Sequence, residues 1–246
     1  MTLSALLAVP ALLAATPDET ACMKGNASAC AKSGRAAIDR KDYEAAKPLL
    51  EKGCQHNSAE ACDDLGWIWD DGLGVDINKV KAAGFYAKSC KNGFARGCTN
   101  EGAMLLKGDG VKKDLKAAFD RFLKACEGGS PSGCRDLGMR YLEGEGVAKD
   151  AKKALAFFVK GCQGGNGTSC NDVAVMNLNG EGIAKNLAEA FKYFGLGCDK
   201  EVAQACYDLA VMYQNGESVE KSPTEAKAYF KRGCELGHEK SCTYAK

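Results

Sequence analysis

Histidine is scarce in this sequence, and neither sign of charge is in excess. Only two histidines, His56 and His238, occur in 246 residues, so a histidine-based metal cage or a set of histidine-dependent catalytic sites has little to draw on. The 33 Lys and Arg balance 32 Asp and Glu, giving a formal net charge of +1, which provides no electrostatic footprint for nucleic acid or an anionic membrane. We therefore expect no metal, no cofactor and no nucleic-acid partner.

Long apolar runs are also lacking, apart from one at the start of the chain. Residues 1–15 are mostly apolar and end in small residues before Thr16 and Pro17, a run too short to span a membrane comfortably. We predict that residues 1–21 are a secretory signal peptide; the alternative is an N-terminal apolar helix packed on the first unit of the fold. No other segment is a membrane-span candidate.

Cysteine, by contrast, is abundant, with fourteen residues. They form seven pairs with seven residues between partners: Cys22 and Cys30, Cys54 and Cys62, Cys90 and Cys98, Cys126 and Cys134, Cys162 and Cys170, Cys198 and Cys206, Cys234 and Cys242. From Cys54 to Cys234 the first members recur every 36 residues, and a period of this size is typical of a solenoid. We divide the chain into a leader (1–21), a capping unit (22–53), five repeats (54–233) and a partial repeat (234–246).

The aligned repeats predict two antiparallel helices per unit. With the first Cys as position 1, position 13 is always small and position 19 is glycine, which favours the end of a helix. Position 25 carries the N-cap residues of a second helix, and position 33 is aromatic. The N-cap residues are Asn78, Asp114, Asp150, Asn186 and Ser222. These spacings follow the helical period on one face, so we predict an all-α solenoid of helix pairs.

The cysteine pairs fall on the core-facing stripes where a tight turn joins two helices, so a disulfide is their natural product. Zinc is the alternative, but structural zinc sites usually need four ligands with closer pairs. Seven short disulfides would stabilise the fold and indicate an oxidising compartment.

A unit such as residues 126–161 resembles a Sel1-like repeat, with its LG, Y, G-x-GV, D, KA and F pattern. With the C-x7-C pairs, the chain is similar to the cysteine-rich Sel1-like proteins of Helicobacter, and this resemblance implies a right-handed superhelix of disulfide-linked helix pairs. Residues 36–53 lack the G-x-GV loop and look more like a tetratricopeptide repeat, consistent with a cap.

Two functions follow from the resemblance: Sel1-like proteins act mainly as adaptors for protein partners, and the exported cysteine-rich members have been assigned penicillin binding and weak β-lactam hydrolysis. Serine β-lactamases use S-x-x-K with S-D-N and K-T-G. Only Ser218 and Lys221 fit the first motif and neither of the others occurs, so we assign no catalytic residue. Cysteine-rich Sel1-like proteins of the mitochondrial intermembrane space suggest a third class, haem or metal handling.

Position 11 is the best candidate for a binding surface, since it is always Asp or Asn, one helical step off the buried stripe. Stacked units would place these side chains in a row, and in related repeats the first helix of each unit lines the concave surface. The Asp and Asn side chains of this row would accept hydrogen bonds from the backbone or cationic side chains of an extended peptide, and varied residues at positions 10 and 14 lie beside the row. The predicted peptide-binding residues are Asp64, Trp67, Asn100, Arg135, Asp136, Met139, Asn171, Asp172, Tyr207 and Asp208. The alternative is a row of acids that only complements helix dipoles.

We therefore expect a monomeric scaffold, periplasmic or secreted, that binds a peptide or protein on its concave face and has no membrane span after processing. An enzyme acting on β-lactams or cell-wall peptides is the second hypothesis.

Overall fold

The computed structural model describes residues 16–245, which form fourteen α-helices. The helices are α1 (Pro17–Met23), α2 (Ala27–Asp39), α3 (Tyr43–Gln55), α4 (Ala59–Asp71), α5 (Lys79–Lys91), α6 (Ala95–Lys107), α7 (Leu115–Glu127), α8 (Pro131–Glu143), α9 (Ala151–Gln163), α10 (Gly167–Asn179), α11 (Leu187–Asp199), α12 (Ala203–Asn215), α13 (Pro223–Glu235) and α14 (Glu239–Tyr244). Within this part of the chain, no helix has the length and apolar character needed to cross a membrane.

The helix boundaries fall where the sequence places them. Gly144 ends α8 in the left-handed conformation, with φ of 77°, and Gly72, Gly108, Gly180 and Gly216 do the same in the other repeats. The side chain of Asp150 accepts a hydrogen bond from the N–H of Lys153 at the start of α9, and the other four predicted N-caps also accept such bonds. The prediction of two helices per repeat is confirmed.

Seven disulfides join the end of one helix to the start of the next, and all fourteen cysteines take part in the predicted pairs. Cα–Cα distances run from 4.3 Å for Cys90 and Cys98 to 4.7 Å for Cys54 and Cys62. The disulfide prediction is confirmed, and the zinc alternative is wrong because no thiolate remains to bind metal in these pairs. Disulfides of this number indicate an oxidising compartment.

In the core of each repeat, an aromatic ring from the second helix packs against a small residue of the first helix. Phe122 of α7 lies on Gly102 of α6, and Phe158 of α9 lies on Gly138 of α8. Phe194, which is fully buried, shares a core cluster with Ala174. Small residues at position 13 thus let the two helices of a repeat approach closely over the ring.

Helices α2, α4, α6 and α8 form the inner layer of the first part of the superhelix. Besides their sequence neighbours, they contact one another in succession, whereas the odd-numbered helices make a comparable contact only between α1 and α3 within residues 16–245. The chain therefore curves towards the even-numbered side, and the free surface of these four helices is concave. In the capping unit a short turn at Arg40 and Lys41 replaces the longer glycine loop between helices.

Most of the predicted leader lies outside the described residues. Helix α1 begins at Pro17, within the predicted leader, and Thr16 caps it through a hydrogen bond from Glu19 N–H. The division of the chain at residues 21, 53 and 233 stays a prediction.

Candidate functional site on the concave face

Two arginines and two buried aspartates from three units meet on the concave face near the N-terminal end. Arg96 of α6 donates from Nε to Asp63 Oδ2 at 2.5 Å and from Nη2 to Asp64 Oδ1 at 2.8 Å. Arg35 of α2 also donates to Asp64, and Asn100 Nδ2 donates to Asp63 Oδ1 at 2.9 Å. These five residues, which we call the arginine cluster, tie α2, α4 and α6 together.

The carboxylates of the cluster are buried, whereas its arginine side chains are partly exposed. The Asp63 and Asp64 side chains are 2% and 3% exposed, against 38% for Arg35 and 51% for Arg96. Burial raises the pKa of Asp64 to about 6, an effect that Arg35 and Arg96 oppose and the neighbouring Asp63 carboxylate reinforces. Burial also raises the pKa of Asp63, against the charge of Arg96. The cluster therefore offers N–H donors rather than carboxylate oxygens to a ligand.

Two open cavities of about 400 Å³ each lie on either side of the two guanidiniums. Arg35 and Arg96 line both cavities. Phe94 lines the first cavity, and Trp67 and Tyr86 line the second. The half-buried Trp67 indole is held by a hydrogen bond from Nε1 to Asp71 Oδ2 at 2.6 Å. The concave face thus combines fixed donors with aromatic surface.

A second group of predicted residues lies two repeats further along. Arg135 of α8 donates from Nε to Asp172 Oδ2 of α10 at 2.6 Å. Burial raises the pKa of Asp172 and of Asp136, which Arg135 opposes. Asn171 Oδ1 is buried and accepts no hydrogen bond from the described residues, and Met139 is half-buried against a core cluster. The ion pair therefore links two units.

The last two predicted residues belong to the C-terminal end. Asp208 accepts a hydrogen bond from Gln204 Nε2 at 3.0 Å. The ring centroid of Tyr207 is 4.6 Å from that of His238 and 5.6 Å from that of Phe230. Tyr207 therefore packs in an aromatic cluster that covers the end of the solenoid.

The structure brings the predicted residues together in three groups rather than in one pocket. Asp64, Trp67 and Asn100 share the arginine cluster and its cavities, and whether any of the ten predicted residues binds a peptide stays a prediction. Arg35 and Arg96 are not among the predicted residues. Arg96 occupies position 7, at which the repeats differ, and Arg35 falls in the capping unit outside the 36-residue alignment. Aligning the units on their second cysteine would have matched Arg35 with Trp67, since each lies five residues after it.

The residues of the S-x-x-K motif do not form a nucleophile–base pair. Ser218 lies in the exposed loop before α13 with φ of 62°, and among the described residues its hydroxyl makes no hydrogen bond to Lys221. His238 has a structural role, because its Nδ1 accepts from Ser241 N–H at 3.2 Å and caps α14. Residues 16–245 contain no group of three or more His, Cys, Asp or Glu suited to hold a metal ion.

The stacked helix pairs and the concave face define an α-helical repeat scaffold. Sel1 repeats match residues 59–94, 95–130, 131–166, 168–201 and 203–238, and the chain belongs to the Sel1 repeat family. This is the family that the sequence resemblance predicted, and its fold is typically a scaffold for protein–protein interaction.

Two of the solved structures that resemble this chain show the same helical architecture. A Sel1 repeat protein from Oxalobacter formigenes is 25% identical, with a TM-score of 0.77, over 88% of this chain and 86% of that one. A protective antigen present in uropathogenic Escherichia coli strains, displaying an SLR fold, is 26% identical with a TM-score of 0.83 over 93% of this chain, which spans 50% of that protein. Helicobacter pylori cysteine rich protein B is 28% identical over 54% of this chain and 96% of that one, with a TM-score of 0.44. Among curated proteins, none matches the sequence significantly.

Proposed function

We propose that this protein is an exported scaffold, periplasmic or secreted, whose concave face binds an extended peptide segment of a protein partner. The observation that carries the proposal is the pair of adjacent cavities across α2, α4 and α6, each about 400 Å³ and lined by half-exposed arginine and aromatic side chains. Aromatic and arginine side chains are the residues that most often dominate protein interfaces. The seven disulfides support an oxidising compartment.

A random peptide library displayed on phage and selected against the oxidised protein tests the proposal. Selected peptides should lose binding to the variant Ala36→Arg, because Ala36 is exposed on α2 in the lining of the first cavity and a long side chain there would obstruct the groove. They should also bind the variant Trp67→Ala at least about tenfold more weakly, as expected for a central aromatic contact.

Val80→Arg is the matched control, since Val80 is 68% exposed at the start of α5, away from the inner layer. Circular dichroism of each variant verifies the fold. Peptides that bind Ala36→Arg as tightly as the unchanged protein, or that lose binding only to Val80→Arg, would contradict a concave binding face.

A further inference from the structure

The arginine cluster has the construction of a preorganised donor site. Asp63 and Asp64 are almost wholly buried, and they form ion pairs with the guanidiniums of Arg35 and Arg96 on the inner side of the cluster. A guanidinium carries several N–H donors in a rigid fork. Within residues 16–245, Arg35 donates only to Asp64 and Arg96 only to Asp63 and Asp64, so N–H groups of both side chains remain available on the exposed side.

The position of Arg35 and Arg96 within the groove favours a side-chain carboxylate of the peptide over its C-terminal carboxylate. Arg35 and Arg96 line the first cavity together with Phe94, and they line the second together with Trp67. The groove therefore continues on both sides of the donors. A chain lying along it would present an internal side chain to them, whereas a C-terminal carboxylate would fill only one side. Carboxylates match the guanidinium fork in geometry and charge.

We infer that Arg35 and Arg96 bind the side-chain carboxylate of one acidic residue within an extended partner peptide. This inference rests on the proposed concave binding face. It reverses the polarity expected from the sequence, in which Asp64 would accept hydrogen bonds from the peptide, because Asp64 is already covered by the two arginines.

The remaining charges around the groove are mostly acidic and favour a partner with a single acid. Asp39 and Glu60 are exposed in the lining of the first cavity, where Lys32 is the one further cation among the described lining residues. Asp70 lies in the second cavity, where Lys79 Nζ donates to it at 2.5 Å. A run of acidic residues would place its other carboxylates near these groups and be repelled. Neutral or basic residues should flank the recognised acid.

The two tryptophans make the test direct, since each gives one indole N–H signal in a ¹⁵N spectrum. Trp67 lines the second cavity, whereas Trp69 lies outside it with Lys81 Nζ 3.8 Å from its ring centroid. The full oxidised protein is titrated with short synthetic peptides whose ends are acetylated and amidated and which differ only in a central glutamate, glutamine or lysine. A fourth peptide has the glutamine centre and a free C-terminal carboxylate.

The glutamate peptide should shift the Trp67 signal and leave Trp69 in place, with a dissociation constant at least about tenfold below those of the glutamine and lysine peptides. Arg96→Gln should remove this preference. Arg121→Gln is the matched control, because Arg121 is also a half-exposed arginine ion-paired with a largely buried acid, Glu101, but lies on α7 outside the cavities. Arg96→Gln with Asp63→Asn, which leaves no unpaired buried charge, should give the same loss if the single variant is unstable.

Asp64→Asn distinguishes a site that donates hydrogen bonds to the peptide from one in which Asp64 accepts them. It should preserve or strengthen glutamate binding, because it releases N–H donors of Arg35 and Arg96; weaker binding would mean that Asp64 itself contacts the peptide and would overturn the inference. If the glutamine or lysine peptide shifts the Trp67 signal equally, the inference is overturned while the proposed function stays intact. If the peptide with the free C-terminal carboxylate binds most tightly, the site binds a chain terminus rather than an acidic side chain, which also overturns the inference. If none of the four peptides shifts the Trp67 signal but library-selected peptides do, only the inference about the carboxylate fails. If neither set of peptides shifts the Trp67 signal, the proposed concave binding face fails.

Discussion

The ring of Phe158 in α9 lies so close to Gly138 in α8 that a Cβ atom at residue 138 would stand 2.7 Å from the Cδ1 atom of the ring. Phe158 is fully buried, so the ring has little freedom to withdraw. The contact fixes how closely the two helices of that repeat approach, and it is repeated between Gly102 and Phe122.

Replacing Gly138 by alanine should therefore lower the free energy of unfolding by about 1–3 kcal/mol, because the added methyl overpacks the core. The matched control is Gly84→Ala in α5, where nothing lies within 4 Å of the added methyl and the change should stabilise the helix by about 0.5–1 kcal/mol. Urea denaturation of both variants measures the difference. Equal effects at the two sites would show that helix propensity, not packing, dominates at residue 138.

Removing an internal disulfide should destabilise the fold more than removing the last one. Replacing Cys126 and Cys134 by serine should lower the free energy of unfolding by about 2–3 kcal/mol. The same change at Cys234 and Cys242 should affect global unfolding less, since it releases only the six-residue α14, which can fray on its own. Thermal denaturation of the two double variants compares them, and peptide mapping of the unreduced protein should find only the seven C-x7-C links. An equal loss of stability would show that α14 unfolds together with the core.

Stability should rise when the pH falls from 7 towards 5. Burial raises the pKa of Asp64 from 3.8 to about 6, so between these values the folded protein holds a proton that the unfolded chain releases. The free energy of unfolding therefore falls as the pH increases through this window, and it should be about 1–3 kcal/mol higher near pH 4.5 than at pH 7. Burial also raises the pKa of Asp136, Asp172 and Asp208, which contribute with the same sign.

Asp64→Asn should flatten this dependence, while Asp120→Asn, at an exposed site on α7, should leave it unchanged. Denaturant titrations at several pH values provide the measurement. A protein that gains stability between pH 5 and pH 7 would show that attraction to Arg35 and Arg96 outweighs the burial of Asp64.

Replacing Ser218 by glycine should stabilise the last full repeat. Ser218 has φ of 62°, in the left-handed region that disfavours residues with a Cβ atom, and the corresponding residue of each preceding repeat is glycine: Gly74, Gly110, Gly146 and Gly182. We expect a gain of about 1 kcal/mol in the free energy of unfolding. Glu220→Gln, at an exposed position of the same loop, is a neighbouring control without a change in backbone preference. A loss of stability in Ser218→Gly would mean that the serine side chain makes a contact worth more than the strain.

The repeat itself could be read from the sequence because its determinants are local. Glycine at residue 144 ends a helix, Asp150 starts the next, and the spacing of Cys126 and Cys134 across one turn specifies a disulfide without knowledge of any distant residue. The small residue at 138 and the aromatic residue at 158 also follow from the helical period within one unit. Helix order, disulfide pairing and family all followed from such short-range signals.

The tertiary structure alone decided the chemistry of the concave face. Whether Asp64 presents an acceptor or is covered depends on Arg35 and Arg96, which reach it from 29 and 32 residues away and from two other units. The stacking of neighbouring units determines whether a carboxylate is buried and whether it pairs with a guanidinium. A row of similar residues in the sequence does not predict how the units stack. The sequence determined the helix pairs and the disulfides that join them, because those signals are local, and the packing of three units determined that the exposed groups of the arginine cluster are donors.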